Sequence, residues 1–225
     1  MAAGLAETSQ RLRRACEAVG RDPDEVTLVV VTKTFPASDV RLLHSLGVRD
    51  VGENRHPEAG VKADACSDLD LRWHYIGQLQ TNKARVVAGY ADVVHSVDRV
   101  RLVDALARGV PDGRVLDCLV QVSLDVPSAL GRGGAPPSDV QSIAAAVDAS
   151  QTLRLRGVMA VAPLGSDPEE AFARLAQASR DLRERWPAAE AISAGISGDL
   201  EAAVRHGATH VRVGSAILGT RPAAR

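Results

Sequence analysis

Apolar, β-branched runs recur along the chain, and amphipathic stretches fill the intervals between them. The runs are Val26 to Lys33, Val48 to Gly52, Leu71 to Gly77, Ala91 to Ser96, Val115 to Ser123, Leu153 to Ala160, Ala191 to Ala194 and His210 to Gly214. Runs that stay apolar on both faces read as strands of a parallel sheet covered by helices. Ser38 to Leu46, Asp98 to Arg108, Ser138 to Ser150 and Pro168 to Trp186 carry the clearest helical spacing between them. This alternation predicts an α/β fold, a (β/α)8 TIM barrel formed as a single domain over residues 1–225. A leading amphipathic stretch from Leu5 to Val19, closed by Gly20, adds a helix, so 1–20 is the leading helix and 26–219 the barrel. An open doubly wound sheet is the alternative, but so many units without a second domain favour closure.

The chain has 225 residues, close to the length of a single barrel, so one core suffices. A net charge of −1 leaves no electrostatic footprint for nucleic acid or an acidic membrane. Cys16, Cys66 and Cys118 are widely spaced and form neither a disulfide framework nor a zinc pattern, which points to a reducing compartment. The start has no basic region followed by an apolar one, and no apolar run approaches the ~18 residues of a membrane span. The expectation is a cytoplasmic monomer without a metal.

In such barrels the chemistry sits at the C-terminal ends of the strands. Lys33 ends the first run and opens the polar turn Thr32-Lys33-Thr34-Phe35-Pro36, which delivers an amine to the rim where a carbonyl compound can condense with it. A lone lysine there is ordinarily a solvated strand end, and the other strand ends change that reading. They carry Asn54, His74, Gln121, Met159, Ser193 with Ser197, and Arg212 with Gly214-Ser215. Taken singly, His74 beside Trp73 and Tyr75 reads as a core histidine, and Asn54 as a turn former or helix cap.

The last two units are more specific. Gly195-Ile196-Ser197-Gly198-Asp199 follows a strand and opens a helical pattern, and Val213-Gly214-Ser215 repeats the arrangement one unit later. Free amides at helix starts after the seventh and eighth strands are where barrels commonly bind phosphate. Strand alternation puts Arg212 on the face of Gly214, and a guanidinium buried there needs an acceptor. Amine, phosphate donors and arginine describe a pocket for an aldehyde that also carries a phosphate and a ring acceptor, which pyridoxal phosphate satisfies. The longest loop, Asp125 to Pro137, contains Gly131-Arg132-Gly133-Gly134 and reads as a flexible segment, because it lacks the Lys-Ser/Thr ending of a P-loop.

Several motifs together resemble the pyridoxal phosphate homeostasis proteins, single barrels related to the N-terminal domain of alanine racemase. They are Val31-Thr32-Lys33-Thr34, Gly52-Glu53-Asn54, Trp73 to Lys83, His95-Ser96-Val97-Asp98, Arg156 to Ala160, Ser193 to Ser197 and Val211 to Ser215. The resemblance implies that Lys33 forms a Schiff base with pyridoxal 5'-phosphate, that Ser197, Gly214 and Ser215 hold the phosphate, and that Arg212 faces the pyridine nitrogen. Asn54, His74 and Met159 would line the cofactor. Ile196 stands where relatives usually have Met, and Arg132-Gly133-Gly134 where many carry Lys-x-Gly. The function so implied is a cofactor carrier that takes part in cofactor homeostasis, releases it to pyridoxal-phosphate-dependent apoenzymes, trims amino-acid adducts, and lacks efficient turnover. A racemase-like enzyme is the runner-up, although the chain stops soon after the eighth unit, where racemases add a second domain. A Schiff-base aldolase is the third reading, and it would need Glu53 or Asp125 as its acid-base group.

Overall fold

Each of the eight predicted runs contains a strand, and the strands close on themselves in sequence order. They are β1 (Thr27–Val31), β2 (Asp50–Glu53), β3 (Arg72–Tyr75), β4 (Val93–Val97), β5 (Leu116–Gln121), β6 (Leu153–Met159), β7 (Ala191–Ser193) and β8 (His210–Val213). All pairings are parallel, and β1 closes the ring by pairing Val29 with Arg212 and Val30 with Val51. This computed structural model describes residues 1–125 and 133–219.

The helices that cover the barrel are α1 (Ala2–Glu17), α2 (Ala37–Ser45), α3 (Glu58–Ala65), α4 (Thr81–Tyr90), α5 (Val100–Ala107), α6 (Val140–Asp148), α7 (Pro168–Arg183), α8 (Leu200–Arg205) and α9 (Ser215–Leu218). Several strands are shorter than the runs that announce them, for local reasons. Val48 opens the second run but its N–H closes α2 by bonding to Leu43 O at 3.1 Å, so pairing begins only at Asp50. The sixth run keeps nearly its full length because alternate residues, Arg154 and Arg156, are exposed while Leu153, Leu155 and Gly157 are buried.

Two apolar layers follow from strand alternation. Val30, Val51, Val94, Val120, Val158 and Val211 face outward and pack with helix residues such as Leu43, Leu102, Ile143 and Phe172 in one continuous core. Val29 and Val31 face inward, where a side chain at Gly52 would meet them at 3.0 and 3.5 Å. Val93, Leu119, Met159 and Ala191 form a small apolar cluster separate from that outer core. Barrel interiors are usually filled by branched apolar side chains. Here His74, His95, Ser193 and Arg212 are buried instead.

The leading helix α1 is bound to the last units of the barrel. Its Leu12, Ala15 and Cys16 are buried, Arg11 pairs with Glu201 of α8, and Arg21, just past its end, donates to Val204 O and Ala208 O. Cys16, Cys66 and Cys118 are free and buried. No helix among the described residues is long and apolar enough to cross a membrane.

The interior histidines make stability depend on pH. Burial holds His95 well below its ordinary value and His210 down at about 4, so both stay neutral in the fold yet take up a proton in the unfolded chain below about pH 6.5. Their contribution is therefore complete above that value and is lost as pH falls. Between about pH 6 and about pH 5 these two rings should remove about 2 kcal/mol of unfolding free energy. Denaturant titrations at the two pH values check this, and an unchanged midpoint would contradict it.

Candidate functional site

The pairing of β1 ends where Thr32 N–H bonds to Gly52 O at 3.0 Å, and the chain then turns so that Phe35 N–H returns to Thr32 O at 3.1 Å. Thr34 lies at φ 70°, a left-handed conformation costly for a β-branched residue. A buried network from β2 and α3 holds this turn. Thr32 Oγ1 donates to Glu53 Oε1 at 2.6 Å, and Lys62 Nζ donates to Thr32 O at 2.8 Å, to Glu53 Oε1 at 2.7 Å and to Glu58 Oε1 at 2.7 Å. Thr34 N–H donates to Glu58 Oε1 at 2.6 Å. Burial raises the Glu53 carboxyl against the opposing pull of Lys62 and Thr32. Both neighbours of Lys33 are thus fixed, while Lys33 itself is half-buried, lines the cavity at the barrel mouth, and has no hydrogen-bonding or ionic partner among the described residues.

Across that cavity lie the starts of α8 and α9. Gly195 turns the chain out of β7 at φ 89°, and a Cβ there would lie 2.7 Å from Ala203 Cβ, so only glycine lets the loop pass this close to α8. Ile196 N–H bonds to Asp199 Oδ1 at 2.6 Å and folds the loop on itself. Ser197 is half-buried and lines the cavity, and its carbonyl accepts from Arg11 Nη1 at 2.6 Å, which ties the loop to α1. Gly214 and Ser215 line the same cavity at the start of α9, whose first amides have no capping side chain. These helices are short, so local N–H groups and the hydroxyl, rather than a macrodipole, make the site attractive to an anion.

Arg212 reaches the cavity from inside the barrel and is 3% exposed. Its Nη1 donates to Ser193 Oγ and its Nη2 to Ala160 O at 2.8 Å. Both acceptors are neutral, and burial lowers the guanidinium to about 10. Asn54 lines the cavity where the loops after β2 and β3 meet, a contact that a Cβ on Gly77 would destroy, since it would fall 2.1 Å from Asn54 O. The cavity measures about 530 Å³ and has Val31, Phe35 and Ile76 among its apolar walls.

Six of the eight residues expected at the site therefore converge: Lys33, Asn54, Ser197, Arg212, Gly214 and Ser215. Met159 does not line this cavity. It belongs to the interior apolar cluster and borders an adjoining cavity of about 250 Å³ that shares Ile76 and Val161 with the first. His74 lines neither, being 1% exposed and bonded within the barrel to Asp50 Oδ1 and His95 Nε2, both at 2.8 Å. Gln121 borders the adjoining cavity and donates to Gly133 O at 2.7 Å. Gly131 and Arg132 lie outside the described residues. Glu53, one of the two candidates for the acid-base group of an aldolase, is absent from the cavity wall and engaged by Lys62, while the other, Asp125, borders the adjoining cavity. Lys62 and Glu58 escaped the sequence reading, although their spacing of four residues is that of a helical ion pair.

The family model for the N-terminal domain of alanine racemase matches residues 5–222. A Mycobacterium tuberculosis protein named pyridoxal phosphate homeostasis protein is 44% identical over 237 residues, covering 96% of this chain and 91% of the relative. One of the same name from Escherichia coli K12 is 36% identical over 228 residues, covering 98% and 97%. Among solved structures, PipY of Synechococcus elongatus PCC7942 with PLP bound is similar at a TM-score of 0.80 and 34% identity, covering 92% of this chain and 99% of that one. Alanine racemase from Corynebacterium glutamicum, at 13% identity and a TM-score of 0.67, shares the fold.

Replacing Lys62 tests the network behind the turn. Lys62→Met leaves the Glu53 carboxyl buried without its cation and should cost about 3–5 kcal/mol, whereas Lys62→Met with Glu53→Leu should recover most of that loss. Chemical denaturation measures both, and a single-variant loss under ~1 kcal/mol would show that the pair does not hold the turn.

Proposed function

The chain belongs to the pyridoxal phosphate homeostasis proteins, and from that premise we propose that it carries pyridoxal 5'-phosphate as a Schiff base on Lys33 and hands it on without efficient turnover. The observation that carries this reading is the convergence on one cavity of an unengaged amine, two sets of anion donors and a buried guanidinium. The residues fit the cofactor chemically. A cavity of about 530 Å³ suits a small ligand, and its polar groups stand at separate edges of an otherwise apolar wall. When bound, the cofactor supplies an aldehyde that an amine converts to an imine with loss of one water.

In this reading Ser197, Gly214 and Ser215 hold the phosphate, Asn54 lines the ring, and Arg212 faces the pyridine nitrogen. A positive neighbour disfavours protonation of that nitrogen, which weakens the ring as an electron sink. Racemisation also needs a base on each face of the substrate. The ionisable side chains lining the described cavity are Lys33 and Arg212, which supports a carrier over a racemase. Acting as a monomer in the cytoplasm, the protein would give the cofactor to apoenzymes and clear amino-acid adducts by exchange at Lys33.

The purified, loaded protein should show a visible band, and borohydride reduction followed by mass spectrometry should place the adduct on Lys33. An adduct confined to another lysine refutes the assignment. The same preparation should racemise L-amino acids far below the usual enzymatic rate of about 1 per second, and a rate at or above it would favour the racemase reading.

The phosphate assignment has its own test. The Ser197 hydroxyl should contribute about 1.5 to 3 kcal/mol as a hydrogen bond to a charged acceptor. Ser197→Ala should weaken binding of pyridoxal phosphate and leave that of unphosphorylated pyridoxal nearly unchanged. Equal losses for both ligands would remove the serine from the phosphate site.

A further inference from the structure

A chain of hydrogen bonds crosses the barrel interior beneath the cavity. Arg212 of β8 donates to Ser193 Oγ of β7, Ser193 Oγ lies 2.8 Å from His95 Nδ1 of β4, and His95 Nε2 lies 2.8 Å from His74 Nδ1 of β3. His74 Nε2 then lies 2.8 Å from Oδ1 of Asp50, at the start of β2. Asp50 lines a second cavity, at the N-terminal face of the barrel, and its side chain is 25% exposed. The four inner groups, Arg212, Ser193, His95 and His74, are each at most 3% exposed.

Chemistry at the two ends sets the direction of the outermost bonds. A guanidinium can only donate, and an ionised carboxylate can only accept. Ser193 Oγ accepts from Arg212 and keeps one proton that it can give to His95 Nδ1. In the arrangement that follows, His95 is protonated on Nε2 and donates to His74 Nδ1, and His74 is protonated on Nε2 and donates to Asp50, with one proton on each ring. The reverse arrangement, in which Ser193 Oγ also accepts from His95 Nδ1–H, requires two protons on His74. The titratable and charged groups facing the chain are His210 of β8, with its ring 6.1 Å from His74 and 6.0 Å from His95, Asp199 just before α8, which acts on Arg212 without a hydrogen bond, and Arg72 and Arg156, both paired with Asp117 of β5. No carboxylate hydrogen-bonds to Arg212 among the described residues, so the Asp50 carboxylate adds to that of Asp199 through three polarised groups of the chain.

We propose that Asp50, His74, His95 and Ser193 are positioning residues that fix the Arg212 guanidinium and so set the electronic state of the ring bound above it. This rests on the cofactor reading, in which Arg212 meets the pyridine nitrogen. A carboxylate at the opposite mouth of the barrel thereby controls chemistry at the cofactor without contacting it. An interior of valine and leucine would fill the same space, but it would leave the guanidinium buried and free to change its hydrogen bonds.

Two measurements decide it. In the cofactor-free protein, nitrogen-15 spectra of labelled histidine at neutral pH should show both His74 and His95 protonated on Nε2 alone, and Asp50→Asn should perturb the signals of both rings. In the loaded protein, Asp50→Asn should move the pH midpoint of the visible band by about one unit, a tenfold change in the proton equilibrium. Asp70→Asn, which removes the same charge from the same N-terminal cavity without touching the chain, should leave that midpoint in place. His74→Leu should move it as Asp50→Asn does, and His74→Gln, which keeps an acceptor and a donor, should move it less than half as far. These histidine variants also serve if Asp50→Asn does not fold. An Nδ1-protonated or doubly protonated ring, or a midpoint unmoved by Asp50→Asn and His74→Leu, overturns the proposal. A wild type without a visible band would instead sink the cofactor reading, and the cofactor-free spectra would then judge the chain alone.

Discussion

The buried contact between Lys62 and Glu53 is the constraint on which the reactive end of this molecule depends. A pair of this kind adds little net stability over apolar residues of the same shape, but it is costly to break once one partner is left behind. Its value here is geometric. Lys62 holds Thr32 O, Glu53 holds the Thr32 hydroxyl, and Glu58 holds the Thr34 amide, so a turn that includes a left-handed threonine is pinned on both sides of Lys33. The lysine that lines the cavity is positioned by β2 and α3 rather than by its own loop, and its amine takes no part in the network. Two lysines stand near one strand end, and their partners distinguish them: Lys62 is engaged three times, and Lys33 is left without a partner among the described residues.

The opposite side of the cavity is built on the same plan. Arg11 of the leading helix reaches the carbonyl of Ser197 and pairs with Glu201, so α1 is part of the support for the loop after β7 and not an ornament outside the barrel. Arg212 is held by a serine hydroxyl and a backbone carbonyl from the neighbouring units β7 and β6. Amine, anion donors and guanidinium thus come from separate strand ends, and each is oriented by residues that do not line the cavity. Preorganisation of this kind lowers the ordering cost when a ligand arrives.

The strands were legible because period and β-branching are local signals, and the meeting of the last two loops at one cavity because glycine-rich turns at helix starts occupied the last two units of an eightfold pattern. What escaped was depth. His74 and Met159 sit near strand ends in sequence, yet whether such a residue lines the mouth depends on how far down the tilted strand it falls and on what covers it. Met159 is covered by the apolar cluster of the interior, and His74 is bonded downward to Asp50. The partner of His74, His95, lies 21 residues away, and Ser193 lies 98 beyond that, separations at which no pattern of spacing signals contact. Lys62 was hidden for the same reason, since its bond to Thr32 spans 30 residues. Loop ends were blurred by helix closure, as at Val48, whose amide serves α2 before the strand can claim it.

The barrel is shared with alanine racemase from Corynebacterium glutamicum at 13% identity, and a barrel of this kind does not by itself decide turnover. What decides it is the set of ionisable groups at the mouth and the state in which the interior holds them. A lysine amine and a guanidinium make a good binding pair for an aldehyde bearing a ring nitrogen, but they offer one proton acceptor and one group that cannot release its proton near neutral pH. Acid-base chemistry on two faces would require a second base in the wall, and the described wall is completed by glycine, serine, asparagine, threonine and apolar side chains. Tyr75 and Tyr90, the tyrosines of the chain, do not line the cavity, and burial raises both phenols away from the range in which they would serve as bases. The same residues that suit the cavity to a phosphorylated aldehyde therefore supply one candidate base at its wall, and a second face would have to find its base elsewhere.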